Sequence, residues 1–404
     1  MNSVSTSPVG TGTGAYSGHQ AARKKSVIDW SVWRSLIALA IVMVALAYLT
    51  DGTFLTPRNL TNLARQVAIN GILAVGMTYV ILIGGIDLSV GSVVALAGVA
   101  VGILQVNYGL SSWGAEGAEG GSALVATLLS LGVAVGVGLA CGVFNGYLIT
   151  RHRIAPFIIT LGMMVIARGL ALIFAKGASI APLGDHFNFL GQGYLSETTS
   201  VAVIGGVAGV VVLSKLLKKD RSLGEYLGSA GALVIAALAI WACLGYRGLP
   251  IPVLIFGALG AAGILILTRT RLGRFVMAIG GNSEAAWLAG VPIRAISFGI
   301  YAVMGALAGL SGAILSARLN GALPTAGELF ELDAIAAVVI GGTSLKGGIG
   351  TVRGAIIGAF FIGTLNNGMS LMDVTEFYQK VIKGVIIILA VWLDMRQSSN
   401  SVVR

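Results

Sequence analysis

The sequence predicts an all-α polytopic membrane protein, a helical bundle of about 10–12 transmembrane helices with glycine-broken spans. Three observations point there. Of the 404 residues, 56% are hydrophobic and only 10% charged, with a mean hydropathy of +0.91, and no soluble domain is built this way. Apolar runs long enough to cross a bilayer recur along the whole chain, with Lys and Arg gathered in the short stretches between them. The 59 glycines follow no Gly-X-Y period, which suits close helix packing in lipid rather than collagen.

The same composition excludes several classes. A net charge of +10 raises the question of nucleic acid, but the basic residues lie between apolar runs without aromatic interleaving, so topology accounts for them and no nucleic-acid partner is expected. Cys141 and Cys243 both sit inside apolar runs with no Cys/His spacing around them, which argues against a disulfide framework or a zinc site.

Residues 1–29 are polar and rich in Ser, Thr and Gly, and end close to Arg23-Lys-Lys25. They are expected to form a disordered cytoplasmic tail. The run that follows carries Ala45-Leu-Ala47 near its end, as a cleavable signal sequence would. Its span length and the many spans behind it favour an anchor.

The spans then fall at 33–50, 64–84, 89–106, 123–149 and 156–175. Arg151-His-Arg153 marks a cytoplasmic corner, whereas 107–122, with Glu116 and Glu119, is expected outside. The loop 176–200 is external, 201–217 returns to a cytoplasmic cluster of Lys215, Lys218, Lys219 and Arg221, and 226–244 goes out again. The span 250–267 leads to a charged interruption at 269–294, inside by its arginines, and 295–316 exits. Runs at 332–345, 352–372 and 379–395 complete about twelve crossings, with both ends cytoplasmic. The run 332–345 is too short to cross and reads as a broken span. Residues 396–404 are left as a cytoplasmic C-terminal tail, and 30–395 as one transmembrane domain.

The interruption 269–294 carries its own start and stop signals. Asn282 can cap a helix over Ser283–Ala289, Glu284 sits in the first turn where a carboxylate is favoured, Gly290 can take the left-handed position, and Pro292 prevents continuation. Ala285, Ala286 and Ala289 are small and Trp287 is aromatic. A short capped helix of this kind fits a partner's groove or is simply an ordered interhelical turn.

Two glycine-bracketed polar breaks echo each other: Gly84-Gly-Ile-Asp-Leu-Ser-Val-Gly-Ser92 and Gly341-Gly-Thr-Ser-Leu-Lys-Gly-Gly-Ile-Gly350. The echo hints at an internal duplication. Asp87 would cost about 2.5–3.5 kcal/mol at a lipid-facing helix centre. Asp87 and Ser89 therefore either cap the restarting helix or face a pathway, and the two roles are compatible. Gln66, Asn70, Thr78, Asn145, Asn366 and Asn367 are uncharged polar groups in or near spans, able to pass a neutral polyhydroxylated solute or to join helices. Gly138, Gly142 and Gly146 have small-xxx-small spacing and should pack helices.

No catalytic or metal-ligating constellation is legible. His19, His152 and His186 fall in a tail, a corner and a loop. The segment around Lys346 lacks the Ser or Thr that a phosphate loop needs after its lysine. An intramembrane enzyme is thereby disfavoured. Work against a gradient would need another subunit or an ion gradient, and an ion-coupled secondary transporter with Asp87 as proton carrier is the alternative.

The break at 84–92, the run Ala278-Ile-Gly-Gly-Asn-Ser-Glu-Ala-Ala286 and Glu331-Leu-Asp-Ala-Ile-Ala-Ala-Val-Val-Ile-Gly-Gly-Thr-Ser344 resemble the permease subunits of ribose/xylose-type ABC sugar importers. The resemblance covers essentially everything after the tail. Asp51-Gly-Thr-Phe-Leu-Thr-Pro-Arg-Asn59, Tyr246-Arg-Gly-Leu-Pro250, Asn367-Gly-Met-Ser-Leu-Met-Asp373 and an extra helix pair at 201–244 are most similar to the xylose branch. The long tail and the Gly/Glu-rich loop 113–122 depart from the pattern.

The resemblance implies a permease that hydrolyses nothing itself, in a bacterial inner membrane. Its partners would be a second copy of the chain, a cytoplasmic ATP-binding subunit and a periplasmic sugar-binding protein, within membrane lipid. ATP and Mg would be used by the partner, with no cofactor in this chain. It also implies that 269–294 couples to the ATPase, through Gly273, Arg274, Asn282, Glu284, Ala285, Ala286 and Gly290. Glu284-Ala-Ala286 followed by Gly290 is similar to the EAA signature of ABC permeases. Gln66, Asn70, Asp87, Ser89, Asn366 and Asn367 are then pathway candidates, and Arg58, Arg247 and Arg318 are candidates for docking the binding protein.

Overall fold

Apolar runs that cannot leave backbone groups unpaired in lipid must close their hydrogen bonds within a helix, and the computed structural model is a helical bundle. It describes residues 30–114, 120–217 and 223–402. The N-terminal tail, Glu116, Glu119, Lys218, Lys219 and Arg221 lie outside the described residues. In chain order the helices are α1 (Trp30–Leu49), α2 (Pro57–Leu82), α3 (Val90–Gly102), α4 (Gly120–His152), α5 (Pro156–Phe174), α6 (Asp185–Gln192), α7 (Glu197–Leu216) and α8 (Leu223–Leu244). Then come α9 (Ile251–Arg269), α10 (Arg271–Gly281), α11 (Ser283–Leu288), α12 (Ile293–Leu319), α13 (Phe330–Ile340), α14 (Val352–Leu371) and α15 (Glu376–Val402). Eight helices among the described residues are long and apolar enough to cross a membrane. α15 runs on through most positions expected as a C-terminal tail.

The middle of the bundle is α2, α3 and α12, whose side chains are largely buried, while α4, α5 and α7 keep most of theirs on the surface. Glycine decides how closely α4 and α12 cross. A Cβ on Gly138 would overlap the Gly305 carbonyl, one on Gly142 the Tyr301 carbonyl, and one on Gly146 would crowd Phe298. The small-residue row of α4 thus lies directly on the α12 backbone, which only glycine permits. α7 and α8, the extra pair, pack chiefly on each other, and Gly205, Gly206 and Gly209 face open space.

The two echoing breaks have one geometry. α2 ends with Gly84 N–H donating to the Ile81 carbonyl (2.8 Å) and Gly85 N–H to Val80 (2.9 Å), and α13 ends with Gly342 N–H donating to Val339 (2.8 Å) and Thr343 N–H to Val338 (3.1 Å). Gly84 and Gly342 are left-handed, at φ 78° and 87°. Both are Schellman stops, so the short sequence echo is a repeated structure.

Between α12 and α13 the chain re-enters the bundle. Asn320 turns it at φ 52°, and Ala322 pairs with Ile180 in an isolated antiparallel bridge. Ala322 lies against Gly102 of α3, yet Gly327 lies against Gly91, a descent of about 16 Å along α3. Arg168 of α5 holds this extended stretch by donating Nη1 to the carbonyls of Pro324 (2.7 Å) and Ala326 (2.9 Å). α13 therefore starts inside the bundle, and its eleven residues complete a span begun by irregular backbone. This is the broken span expected at 332–345.

Two helices within expected loops were not anticipated. α6, amphipathic, turns Phe187 and Asn188 inward and seats Gly191 on the last turn of α12. α10 occupies the first half of the charged interruption.

Candidate functional sites

Thr270 starts α10 by accepting Gly273 N–H (3.3 Å), and Asn282 starts α11 by accepting Ala285 N–H (2.9 Å). The carbonyl of Asn282 also accepts Ala286 N–H (3.0 Å), and Gly290 follows at φ 78°. The caps read from the sequence are therefore formed, around a helix of six residues.

Its faces divide sharply. Ala286 is buried against its own chain, in the same core as Val291 and Ile296, which differs from the expectation that it lies in a partner's groove. The cause is the position of α11, lying across the start of α12. Glu284, Ala285 and Gly290 are exposed, as is Arg274 on α10, while Gly273 is buried against Leu267 of α9. The groups turned out to solvent are Trp287 and Leu288, 67% and 74% exposed. Two large apolar side chains at the charged end of a bundle, on a helix whose other face is anchored, form a knob that a complementary groove would cover.

The base of the knob is joined to both breaks through backbone. Gly348 N–H donates to the Leu82 carbonyl at the end of α2 (2.9 Å). A Cβ on Gly280 of α10 would overlap both groups, and one on Gly348 would run into Gly281. Three segments distant in sequence, 82–84, 280–281 and 347–348, thus meet with no side chain between them. A displacement of α10 and α11 has to move the end of α2 and the second break or lose these contacts.

Asp87, in the first break, is 1% exposed. Its Oδ1 accepts Ser89 N–H (2.9 Å) and Ser89 Oγ–H (2.6 Å), and Ser89 Oγ in turn accepts from Asn145 of α4 (3.1 Å). The carboxylate holds the restart of α3.

The other polar candidates gather on one side. Asn59, Asn62, Gln66 and Asn70 follow one face of α2. At the helix start Asn59 and Asn367 of α14 form a reciprocal amide pair (2.9 and 3.0 Å). About 16 Å further along α2, Asn70 Nδ2 and Asn366 Nδ2 both donate to Asp333 Oδ2 of α13 (3.4 and 3.3 Å), and Lys383 of α15 adds an ion pair to the same oxygen (3.1 Å). Gln66 is half-buried one turn away. Asp333 and Lys383 were not singled out from the sequence; an acidic residue in a helix's first turn and a lysine inside a late apolar run were the available signals.

Of the three arginines expected to dock a partner, Arg58 and Arg247 are exposed, with Arg247 5.6 Å from the ring centre of Tyr246. Arg318 is half-buried. All three lie at the bundle end opposite α11, where Arg65 also covers Tyr194 (5.7 Å).

Residues 59–391 match the family described as branched-chain amino acid transport system / permease component. The chain is 38% identical to the xylose transport system permease protein of Haemophilus influenzae, over 92% of this chain and 98% of that one. It is also 38% identical to the xylose permease of Escherichia coli K12, over 93% and 94%, and 38% identical to the ribose import permease of Bacillus subtilis 168, over 89% and 91%. No solved structure matches.

Proposed function

The chain belongs to this family of transport-system permease components, and from that premise we propose that it is the membrane-spanning subunit of a bacterial ATP-driven monosaccharide importer, with D-xylose as its solute. Two copies form the pathway, ATP-binding subunits engage α11, and a periplasmic sugar-binding protein delivers solute at the opposite end. The observation that carries this reading is the capped, inward-anchored α11 with Trp287 and Leu288 turned out, joined through glycine backbone to both membrane breaks. It is a lever with a handle, which an ATPase can drive. The basic residues around it support a cytoplasmic position. The extra pair α7–α8 and the xylose permeases among the relatives support xylose; ribose permeases match at similar identity.

Proteoliposomes holding the permease and its ATPase subunit, supplied with sugar-loaded binding protein, should import D-xylose on ATP and stop when the ATPase subunit is left out. Uptake driven by a pH gradient with no ATPase present would establish a secondary transporter instead. Competition between labelled D-xylose and unlabelled D-ribose decides the sugar: xylose should be displaced only at a large excess of ribose.

A further inference from the structure

The cluster around Asp333 is incomplete in one particular way. Three donors, from Asn70, Asn366 and Lys383, converge on a single oxygen, Oδ2. The amide orientations follow from this, since only Nδ2 can face a carboxylate, so Oδ1 of Asn70 and Oδ1 of Asn366 point elsewhere. Both of these oxygens are buried without a partner. Asp333 Oδ1 receives no donor among the described residues either. Two buried acceptors from two helices therefore stand unfilled beside a residue whose side chain is 3% exposed, at about half the length of α2. A buried acceptor without a donor costs roughly 1–3 kcal/mol, and a fold does not keep two side by side without something to fill them.

We propose that Asp333, Asn70 and Asn366 form a hydroxyl-binding station for the transported solute, midway across the bundle. The proposal rests on the reading of the chain as a monosaccharide permease and adds where in the chain the solute is held. The unfilled groups are all acceptors, so the ligand must supply donors. The charge is already balanced, because Lys383 neutralises Asp333 at 3.1 Å, so a cation would meet the ammonium and an anion would meet three oxygens. A neutral molecule with several O–H groups remains, and a sugar is that. The approach is marked by the polar face of α2, where Asn62 and Gln66, both half-buried, lead from the helix start to Asn70. Beyond Asn70 the same helix buries Leu73, Met77 and Val80, so hydrogen-bonding groups thin out past the station.

The test compares wild type with Asn70→Leu and Asn366→Leu. Leucine has nearly the same shape and removes the unfilled oxygen together with one donor to Asp333, which keeps Lys383 and the other amide, so both variants should still fold, melt close to the wild-type temperature and co-purify with the ATPase subunit. Each is reconstituted with the ATPase and the binding protein. Maximal import rates are measured for the pentose and for its 2-, 3- and 4-deoxy analogues, all at concentrations that saturate the binding protein. In wild type the loss of one hydroxyl should slow import about tenfold at one or more positions, the effect of a single hydrogen bond at a buried site. Each leucine variant should import the full pentose about tenfold more slowly and lose the discrimination at one hydroxyl position. Variants that import at wild-type rates and keep the wild-type deoxy-sugar preference would overturn the station while leaving the function standing. Sodium-dependent import that vanishes in the variants would make the cluster a cation site and overturn the hydroxyl assignment. A wild-type complex that imports no monosaccharide would overturn both.

Discussion

Gly280→Ala should abolish transport, whereas Gly281→Ala, one position on, should leave it near wild type. The two glycines share a helix end, so propensity and local flexibility change equally in both. They differ in what a methyl group would meet. At 280 it enters the Leu82 carbonyl and the Gly348 amide, both backbone and neither free to rotate away, while at 281 it meets nothing within 4 Å. Relieving the clash at 280 requires parting α10 from the ends of α2 and the second break, with loss of the Gly348 to Leu82 hydrogen bond. The cost is about 3 kcal/mol, the upper part of the overpacking range, and it falls on the junction through which α11 is joined to the membrane helices. Melting temperature in detergent and ATP-driven uptake, measured on both variants, check this. Equal behaviour of the two variants would mean that the junction carries no force.

Ala286→Arg should unfold the segment that Ala285→Arg leaves intact. Ala286 is 5% exposed and belongs to the same apolar core as Val291 and Ile296. An arginine there either buries an unpaired charge or lifts the six-residue α11 off α12, at roughly 3 kcal/mol. Ala285 is exposed, so the same side chain projects outward and the fold tolerates it. Thermal melts separate the two, and the permease alone suffices for the measurement. A normal melt for Ala286→Arg would mean that α11 is not anchored as described.

Much of this was legible in the sequence, and the failures have physical causes. The caps Asn282 and Gly290 and the breaks at Gly84 and Gly342 were readable because each depends on a local rule: a side chain that accepts a nearby amide, or a left-handed backbone that favours glycine. The packing row on α4 was readable for the same reason, since spacing alone puts Gly138, Gly142 and Gly146 on one face. What was not readable depends on contacts across the fold. The direction of Ala286 is set by where α12 starts. α10 was hidden because arginines at 271 and 274 read as a loop, although Val276 and Ile279 turn one face inward. The re-entry at 320–329 follows from Arg168 reaching carbonyls more than 150 positions away. Asp333 and Lys383 are 50 positions apart and meet only when α13 and α15 are packed. Asn70 and Asn366 were selected by residue type, but their shared partner, and hence the chemistry left unfilled, appears only in three dimensions.

The central claim, that α11 is the handle by which an ATPase moves this permease, is tested most directly by Trp287→Glu combined with Leu288→Glu. Both side chains are exposed, so the fold should hold and the permease should insert and melt as wild type does. An aromatic anchor at the centre of an interface is typically worth about 2 kcal/mol or more, and two buried carboxylates would add a desolvation cost. The measurement is co-purification of the ATPase subunit with the permease, alongside ATP hydrolysis and pentose uptake after reconstitution. The account predicts a folded permease that no longer retains the ATPase subunit and imports nothing. A double variant that retains the subunit and transports at the wild-type rate would contradict it.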